Sequence, residues 1–417
     1  MPVEDARSVA AGRARIDWAQ TQMPVLAQVS ERFARERPLE SIRVAACLHI
    51  TAETANFVQA LLAGGAKVGL CAANPLSTQD DVVAALGGRG GARVHARRGE
   101  SAEEYAAHVD TLVAHAPQVT IDDGADLIGR IHETSPDGAA QMLGGTEETT
   151  AGLLRVRALE ARGALACPVL AVNESRTERA FNDRFGTGQS TIDGILRATN
   201  LLLAGRTVVV LGYGWTGRGV ALRARGAGAS VVVCEVDPLR ALEARMEGYE
   251  VMPALLAAER GDVFVTVTGS RDVLRAEHFE RMKDGAVLAN AGHFDVEIKL
   301  DDLRALAAGG SQEVLPLVEQ HTLADGRRLH LLAQGRVVNL AAGEGHPASV
   351  MDVSFAAQAL CVEHLVTNAG QLETRVLQVP EAIDSEVARL KLDSLGVRID
   401  ELTDEQRVYR SAWEQRG

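Results

Sequence analysis

The chain has 417 residues, 46% of them hydrophobic, and a formal net charge of -13 at neutral pH. That length exceeds one ordinary core, so two domains and an appendage are expected. The acidic balance argues against nucleic acid or an anionic membrane surface as partner, and no run of about 18 uninterrupted apolar residues offers a membrane span.

The opening MPVEDARSVAAGRARIDWAQ mixes acids with its bases and has no apolar heart, so it is unlike a secretory leader. From residue 43 onward, short apolar runs alternate with longer stretches of helical period. RVAACLHI (43–50), KVGLCAAN (67–74), ARVHAR (92–97), QVTIDDG (118–124) and PVLAVN (168–173) are predicted strands. A second series follows: TVVVLG (207–212), SVVVCEVD (230–237), YEVM (249–252), DVFVTVTG (262–269), GAVLANAG (285–292) and RVVNLAA (336–342). The alternation predicts an α/β protein of two Rossmann-like, doubly wound parallel-sheet units. Between them lies the polar stretch NESRTERAFNDRFGTGQS (173–190), and the chain leaves the second unit through GEGHP (343–347). Two such crossings predict a two-stranded hinge. A charged, helix-forming segment occupies 381–417 and is expected to be an interface element or a solvated helix.

The five cysteines (Cys47, Cys71, Cys167, Cys234, Cys361) are scattered and mostly set in apolar runs. No CxxC or Cys/His grouping has zinc spacing, so no metal is expected. The thiols read as buried and reduced in a cytoplasmic protein.

TVVVLGYGWTGRGVALRARGAGASVVVCEVD carries the parts of a dinucleotide site in order. A strand ends at Leu211, Gly212, Gly214 and Gly217 make the turn into a helix, and a second strand ends at Glu235, about 20 residues on. Gly214 lets the backbone approach a pyrophosphate at the helix N-terminus. Glu235 would bind the adenosine ribose hydroxyls and repel a 2′-phosphate, which favours NAD. From the residues alone, Asp122-Asp123 reads equally as a helix cap or turn pair, and Glu147-Glu148 as the acidic first turn of a helix. His95, His108, His115, His278 and His330 are read as structural.

Nearly the whole chain resembles the S-adenosyl-L-homocysteine hydrolases. The resemblance is carried by CLHITAETA (47–55), NPLSTQDD (74–81), DDGADL (122–127), EETTAG (147–152), GTGQSTIDGILRATN (186–200), GYGWTGRG (212–219), GHFDVEI (292–298) and GHPASVMDVSF (345–355). It implies a substrate-binding domain over 1–181, completed by 347–380, and an NAD-binding domain over 182–346. It also implies an adenine nucleoside substrate, a homodimer or homotetramer, and NAD recycled within each turnover. The family oxidises the nucleoside 3′-hydroxyl, which acidifies C4′–H, expels the 5′ substituent, adds water and restores the alcohol. By resemblance, His49 and Asp123 are the acid and base of the elimination, and Glu148 contacts a substrate hydroxyl. Thr149 and Thr150 contact NAD, with Ala151 at the family's third threonine. Thr51, Glu53, His346 and Met351 match the adenine pocket. Gln79, His293 and Asn339 match positions lining the nicotinamide and substrate.

The hinge departs from the family pattern Asn-Asp-Ser-x-Thr-Lys-x-x-Phe-Asp-Asn. Glu178 stands at the lysine, and the Asp-Asn pair is inverted to Asn182-Asp183, which puts Asp183 at the NAD-contacting asparagine. Replacing a cation by a carboxylate reverses the local charge by two units, and each unit pair at about 4 Å in an effective dielectric near 20 is worth about 4 kcal/mol before screening. These changes fall on the half of the site that handles the 3′-hydroxyl. The leading expectation is therefore a redirected enzyme performing net 4′,5′-dehydration of a modified adenine nucleoside, as in angustmycin-type antibiotics. Hydrolysis of S-adenosyl-L-homocysteine and a catalytically weak regulatory paralogue are the alternatives.

Overall fold

The computed structural model describes residues 6–89 and 91–411. The motifs above fall within them, while the first five residues and the end of the charged segment (412–417) lie outside the described residues.

The first unit supplies β1 (Arg43–Leu48), β2 (Lys67–Ala72), β3 (Arg93–His95), β4 (Val119–Asp122), β5 (Gly144–Glu147) and β6 (Val169–Ala171). The second supplies β7 (Thr207–Leu211), β8 (Ser230–Cys234), β9 (Glu250–Val251), β10 (Val263–Thr266), β11 (Val287–Asn290), β12 (Ser311–Leu315), β13 (Val318–Thr322) and β14 (Arg328–Leu332). The chain then returns and adds β15 (Val376–Gln378) to the first sheet. The first sheet runs β15-β6-β5-β4-β1-β2-β3, with parallel pairings throughout. The second runs β12-β13-β14-β11-β10-β7-β8-β9, parallel except for the antiparallel β12-β13-β14 edge. The winding direction reverses between β1 and β4 in one sheet and between β7 and β10 in the other. At such points loops leave the strand ends in opposite directions and open a crevice.

β1 and β7 are nearly all buried, RVAACL and TVVVL, because helices cover both faces of their sheets. The helix Ala348–Thr367 is long and apolar enough to cross a membrane by composition, yet most of its side chains are buried in the first unit's core. Phe355 stacks on Phe57 at a centroid distance of 4.7 Å. The helix Glu381–Ser394 packs against it with Ile383 and Val387 buried, and Lys391 pairs with the fully buried Asp352 at 2.8 Å. All five cysteines are buried and free.

One predicted strand is absent. RVVNLAA forms the short helix Val338–Ala341, with a single bridge between Val337 and Asn290. Val338 and Ala341, three apart, are both buried, which is helical spacing that a short apolar run does not distinguish from a strand. β14 takes the place beside β11 instead.

Of the two crossings between units, the first is the turn Val172–Glu174 followed by a wide π-type helix, Glu178–Thr187. Helices of this kind are rare and concentrate at functional sites. Its entrance is fixed by Asp384, which accepts from the backbone N–H of Arg176 (2.8 Å) and Thr177 (3.2 Å) and from the Thr177 hydroxyl.

Candidate active site

His49 follows β1 and Asp123 follows β4, and the β1–β4 register, which pairs Cys47 with Asp122, sets them side by side. His49 Nε2 lies 3.1 Å from Asp123 Oδ2. On its other side, Nδ1 lies 2.7 Å from Ser77 Oγ, and Ser77 donates its proton to the Asn74 carbonyl at 2.8 Å. Ser77 can therefore only accept from the ring, so His49 carries a proton on Nδ1. Nε2 then faces Asp123 Oδ2 directly, at a distance over which a proton can pass. Burial opposes ionisation of Asp123, but His49 and His293 outweigh it and hold this carboxyl at about 2.

The adjacent acid behaves oppositely. Asp122 accepts from the N–H groups of Leu127 (2.8 Å) and Ile128 (3.0 Å) at the start of helix Asp126–Thr134, and burial pushes it up to about 7. Asp122 caps a helix, and Asp123 faces the cavity. At the end of β5, Glu147 likewise turns inward, accepting from Gly124 N, Thr149 N and Thr149 Oγ1. Glu148 faces the cavity, and burial together with Asp123 and Glu178 raises its pKa well above the usual range. Thr149 caps helix Thr150–Ala161, and Thr150 donates to Asn173 at 2.9 Å.

In the π-type helix, Glu178 is 2% exposed. Its Oε1 accepts from Asn182 Nδ2, while Oε2 is buried and makes no hydrogen bond of ordinary length, the equally buried Ser354 hydroxyl being its neighbour. Burial pushes this carboxyl up to about 7, against the pull of Asn182 and of the nearby Ser354 hydroxyl. Neither nearby arginine supplies the missing cation: Arg179 pairs with Glu174 at 3.4 Å, and the exposed Arg176 faces Glu381. Asp183 also lines the cavity, and burial with Glu178 nearby raises it well above the carboxylate range. Asn182 Oδ1 contacts His346 Nδ1 at 2.6 Å, so the two crossings are joined by a hydrogen bond.

The second unit meets the same cavity at its own reversal point. Gly212 has φ +106°, and a Cβ there would stand 2.7 Å from the Val267 carbonyl. A Cβ on Gly217 would meet the Gly212 carbonyl at 2.0 Å, so this glycine packs helix against strand. Gly214 is open, its nearest neighbour being an Arg240 nitrogen 3.7 Å from a would-be Cβ. That open backbone at a helix N-terminus is a cradle for a pyrophosphate. Glu235 accepts from the backbone N–H groups of Tyr213, Val236 and Asp237 and stands at the cavity wall. Its charge suits ribose hydroxyls and opposes a 2′-phosphate. These residues fit a dinucleotide. Glu297 braces the neighbouring loop by accepting from Thr268 and Gly269.

One cavity of about 1240 Å³ joins the halves. It brings together His49, Thr51, Asp123, Glu148, Thr149, Thr150, Glu178, Asn182, Asp183, Gly212, Gly214, Glu235, His293, Asn339, His346 and Met351. Glu53 and Gly217 do not line it. Gln79 faces a smaller adjoining cavity of about 390 Å³, which Thr51 also lines. His293, from the second unit, lies 3.1 Å from Asp123 through Nδ1. Although sequence spacing shows no metal cluster, the fold brings donor atoms of His49, Asp123 and His293 within 4.8 Å of one another. Ser77, Ser190 and Asp384 support the site without having been singled out beforehand, although Ser77 and Ser190 lie inside recognisable motifs. Glu147 reads from sequence only as part of an acidic first turn.

Comparisons with known proteins place the chain in one family. The model of the S-adenosyl-L-homocysteine hydrolase family matches residues 1–140, and that of its NAD-binding domain matches residues 183–345. An adenosylhomocysteinase of Aquifex aeolicus is 55% identical over 412 residues, covering 99% of this chain and 98% of its own. An S-inosyl-L-homocysteine hydrolase of Methanopyrus kandleri is 51% identical, with coverage of 99% and 97%. An adenosylhomocysteinase of Gloeobacter violaceus is 52% identical, with coverage of 99% and 96%.

Proposed function

Since the chain belongs to the S-adenosyl-L-homocysteine hydrolase family and uses NAD, we propose that it oxidises a nucleoside sugar hydroxyl, eliminates across C4′–C5′ and releases a 4′,5′-dehydrated adenine nucleoside. The observation that carries this reading is Glu178, a buried carboxyl with one unpartnered oxygen at the family's lysine position. NAD, which the Gly212–Gly217 turn and Glu235 would hold, would supply a reversible hydride acceptor for the carbinol carbon.

Glu178 takes the hydroxyl proton, and a pKa of about 7 suits a base working near neutrality. The resulting ketone makes C4′–H acidic. The adjoining pair His49 and Asp123 supplies the base for C4′ and the acid for the departing 5′-oxygen. Loss of hydrogen from C4′ and hydroxide from C5′ sums to one water. Restoring the 3′-alcohol removes the carbonyl that activates the alkene, so water no longer adds and the enol ether is retained. His293, seated against Asp123 from the second unit, helps close the cavity to solvent.

A second reading, hydrolysis of S-adenosyl- or S-inosyl-L-homocysteine, is supported by the activities named for the relatives. It differs in that water adds before the ketone is reduced. Incubation of the NAD-loaded protein with psicofuranosyladenine and, separately, with S-adenosyl-L-homocysteine distinguishes the two by mass. A nucleoside lighter by one water supports dehydration, and release of homocysteine overturns it. Neither product, with NAD retained, points to a regulatory paralogue.

A further inference from the structure

Glu178 has two carboxyl oxygens, and the hydrogen bonds around it determine which one is available to a ligand. Ser190 Oγ donates to the Gly186 carbonyl at 2.8 Å, so it presents only lone pairs to Asn339 Nδ2 at 3.1 Å. That contact fixes the Asn339 amide with its nitrogen 3.3 Å from His346 Nε2. Nε2 therefore carries a lone pair, which the Thr187 hydroxyl also reaches at 3.0 Å, and the ring proton sits on Nδ1. Nδ1–H donates to Asn182 Oδ1, which turns Asn182 Nδ2 toward Glu178 Oε1.

Donation thus runs outward from the Asn339 amide nitrogen, to Ser190 and the Gly186 carbonyl on one side and through His346 and Asn182 to Glu178 on the other. An Oε1 that accepts from an amide N–H does not hold the acid proton toward it. The exchangeable proton belongs on Oε2, the buried oxygen that accepts no hydrogen bond of ordinary length, beside the equally unpartnered Ser354 hydroxyl. Burial keeps His346 neutral, with a pKa lowered to about 4, so the ring holds one tautomer through the neutral range.

We propose that Asn182, His346 and Asn339, anchored by Ser190, are positioning residues that dedicate Glu178 Oε2 to the substrate hydroxyl. The proposal rests on the reading of Glu178 as the oxidation base. The chain of bonds draws on both crossings: Glu178 and Asn182 lie in the first, His346 in the second, and Ser190 and Asn339 in the second unit next to them. Glu178 is therefore set for proton transfer only when the two crossings are in register.

The test titrates Glu178 directly in the NAD-loaded protein by carbon-13 NMR of labelled glutamate carboxyls, its signal identified as the one lost in Glu178→Gln. Asn182→Asp places a second carboxylate against Oε1. The two groups then share a proton, and the upper titration step rises by about one pH unit or more. His346→Leu removes the donor that orients Asn182 and also shifts the titration. In His346→Asn the amide nitrogen replaces Nδ1–H and keeps the titration close to the parent's. Thermal unfolding of each variant separates these effects from misfolding. Parent-like titration in both Asn182→Asp and His346→Leu overturns the positioning chain. If the titrations shift as expected while Glu178→Gln still reduces bound NAD at the parent rate on addition of psicofuranosyladenine, the chain stands and the base assignment fails.

Discussion

Gly124 and His293 meet where the two units touch, and a Cβ on residue 124 would lie 2.6 Å from His293 Nε2. Gly124 has φ +109°, a conformation that side chains avoid, so its bare Cα serves both the turn after Asp123 and the seat of His293. The change Gly124→Ala is expected to lower stability by about 1–3 kcal/mol from backbone strain and to dislodge His293 from Asp123. Urea unfolding gives the first effect. The second appears as faster access of solvent deuterium to C4′ of a bound nucleoside, and unchanged exchange would count against this seat.

Ser77 is expected to matter through His49. The Ser77→Ala change removes the acceptor for Nδ1–H and frees the ring to rotate. Exchange of the C4′ hydrogen with solvent should slow by about tenfold or more, with nucleoside affinity little changed. Mass spectrometry of recovered nucleoside and a binding titration provide the two readouts.

The raised pKa of Glu178 has a definite sign for stability. The unfolded group titrates near its ordinary value of 4.5 and the folded one at about 7, so between these the folded state binds the extra proton. Stability from this group is present below the lower value and is lost as pH rises to the upper one. At pH 8 the Glu178→Gln variant should therefore exceed the parent in unfolding free energy by roughly 3 kcal/mol, with the advantage fading toward pH 4.5. A difference independent of pH would contradict the burial argument.

Cofactor retention should depend on Glu235. Its carboxylate is held by three backbone N–H groups at the end of β8, so Glu235→Gln keeps an acceptor oxygen but loses the charge facing the ribose. NAD content per chain after purification and dilution should report an affinity loss of about tenfold. Discrimination against NADP should weaken in the same variant.

Asp384→Ala leaves the N–H groups of Arg176 and Thr177 and the Thr177 hydroxyl without their acceptor at the entrance to the first crossing. Roughly 2–4 kcal/mol of stability should be lost, as expected for buried donors deprived of a charged partner. Urea unfolding measures this, and hydrogen exchange should localise the loss to residues 175–187.

The features legible in the sequence are those written as local spacing. Gly212, Gly214, Gly217 and Glu235 follow one another at fixed intervals, and the turn they predict is present because strand, turn and helix are contiguous. Asp122 and Asp123 could not be told apart from spacing alone. The β4 pleat points neighbouring side chains to different surroundings, so one caps a helix and the other reaches His49. The RVVNLAA run was misleading because so short an apolar run suits a strand or a helical turn equally. The support of Glu178 was illegible for another reason. Asn182 and His346 are 164 residues apart, and Thr177 and Asp384 are 207 apart, so their pairing exists only once both crossings and the returning chain are folded.

The pairing of β15 with β6 bears on how the molecule comes to be made. Val376, Leu377 and Gln378 lie beside Val169, Leu170 and Ala171, so a polypeptide emerging from the ribosome produces the whole of the second sheet before it can finish the first. The sheet running from β7 to β14 is continuous in sequence and can condense as it is synthesised, whereas the earlier strands wait some two hundred residues for their edge and for the apolar helix that fills their core. During that interval the buried face meant for Ala348–Thr367 is open, and a chaperone or a premature contact with the second sheet would act there.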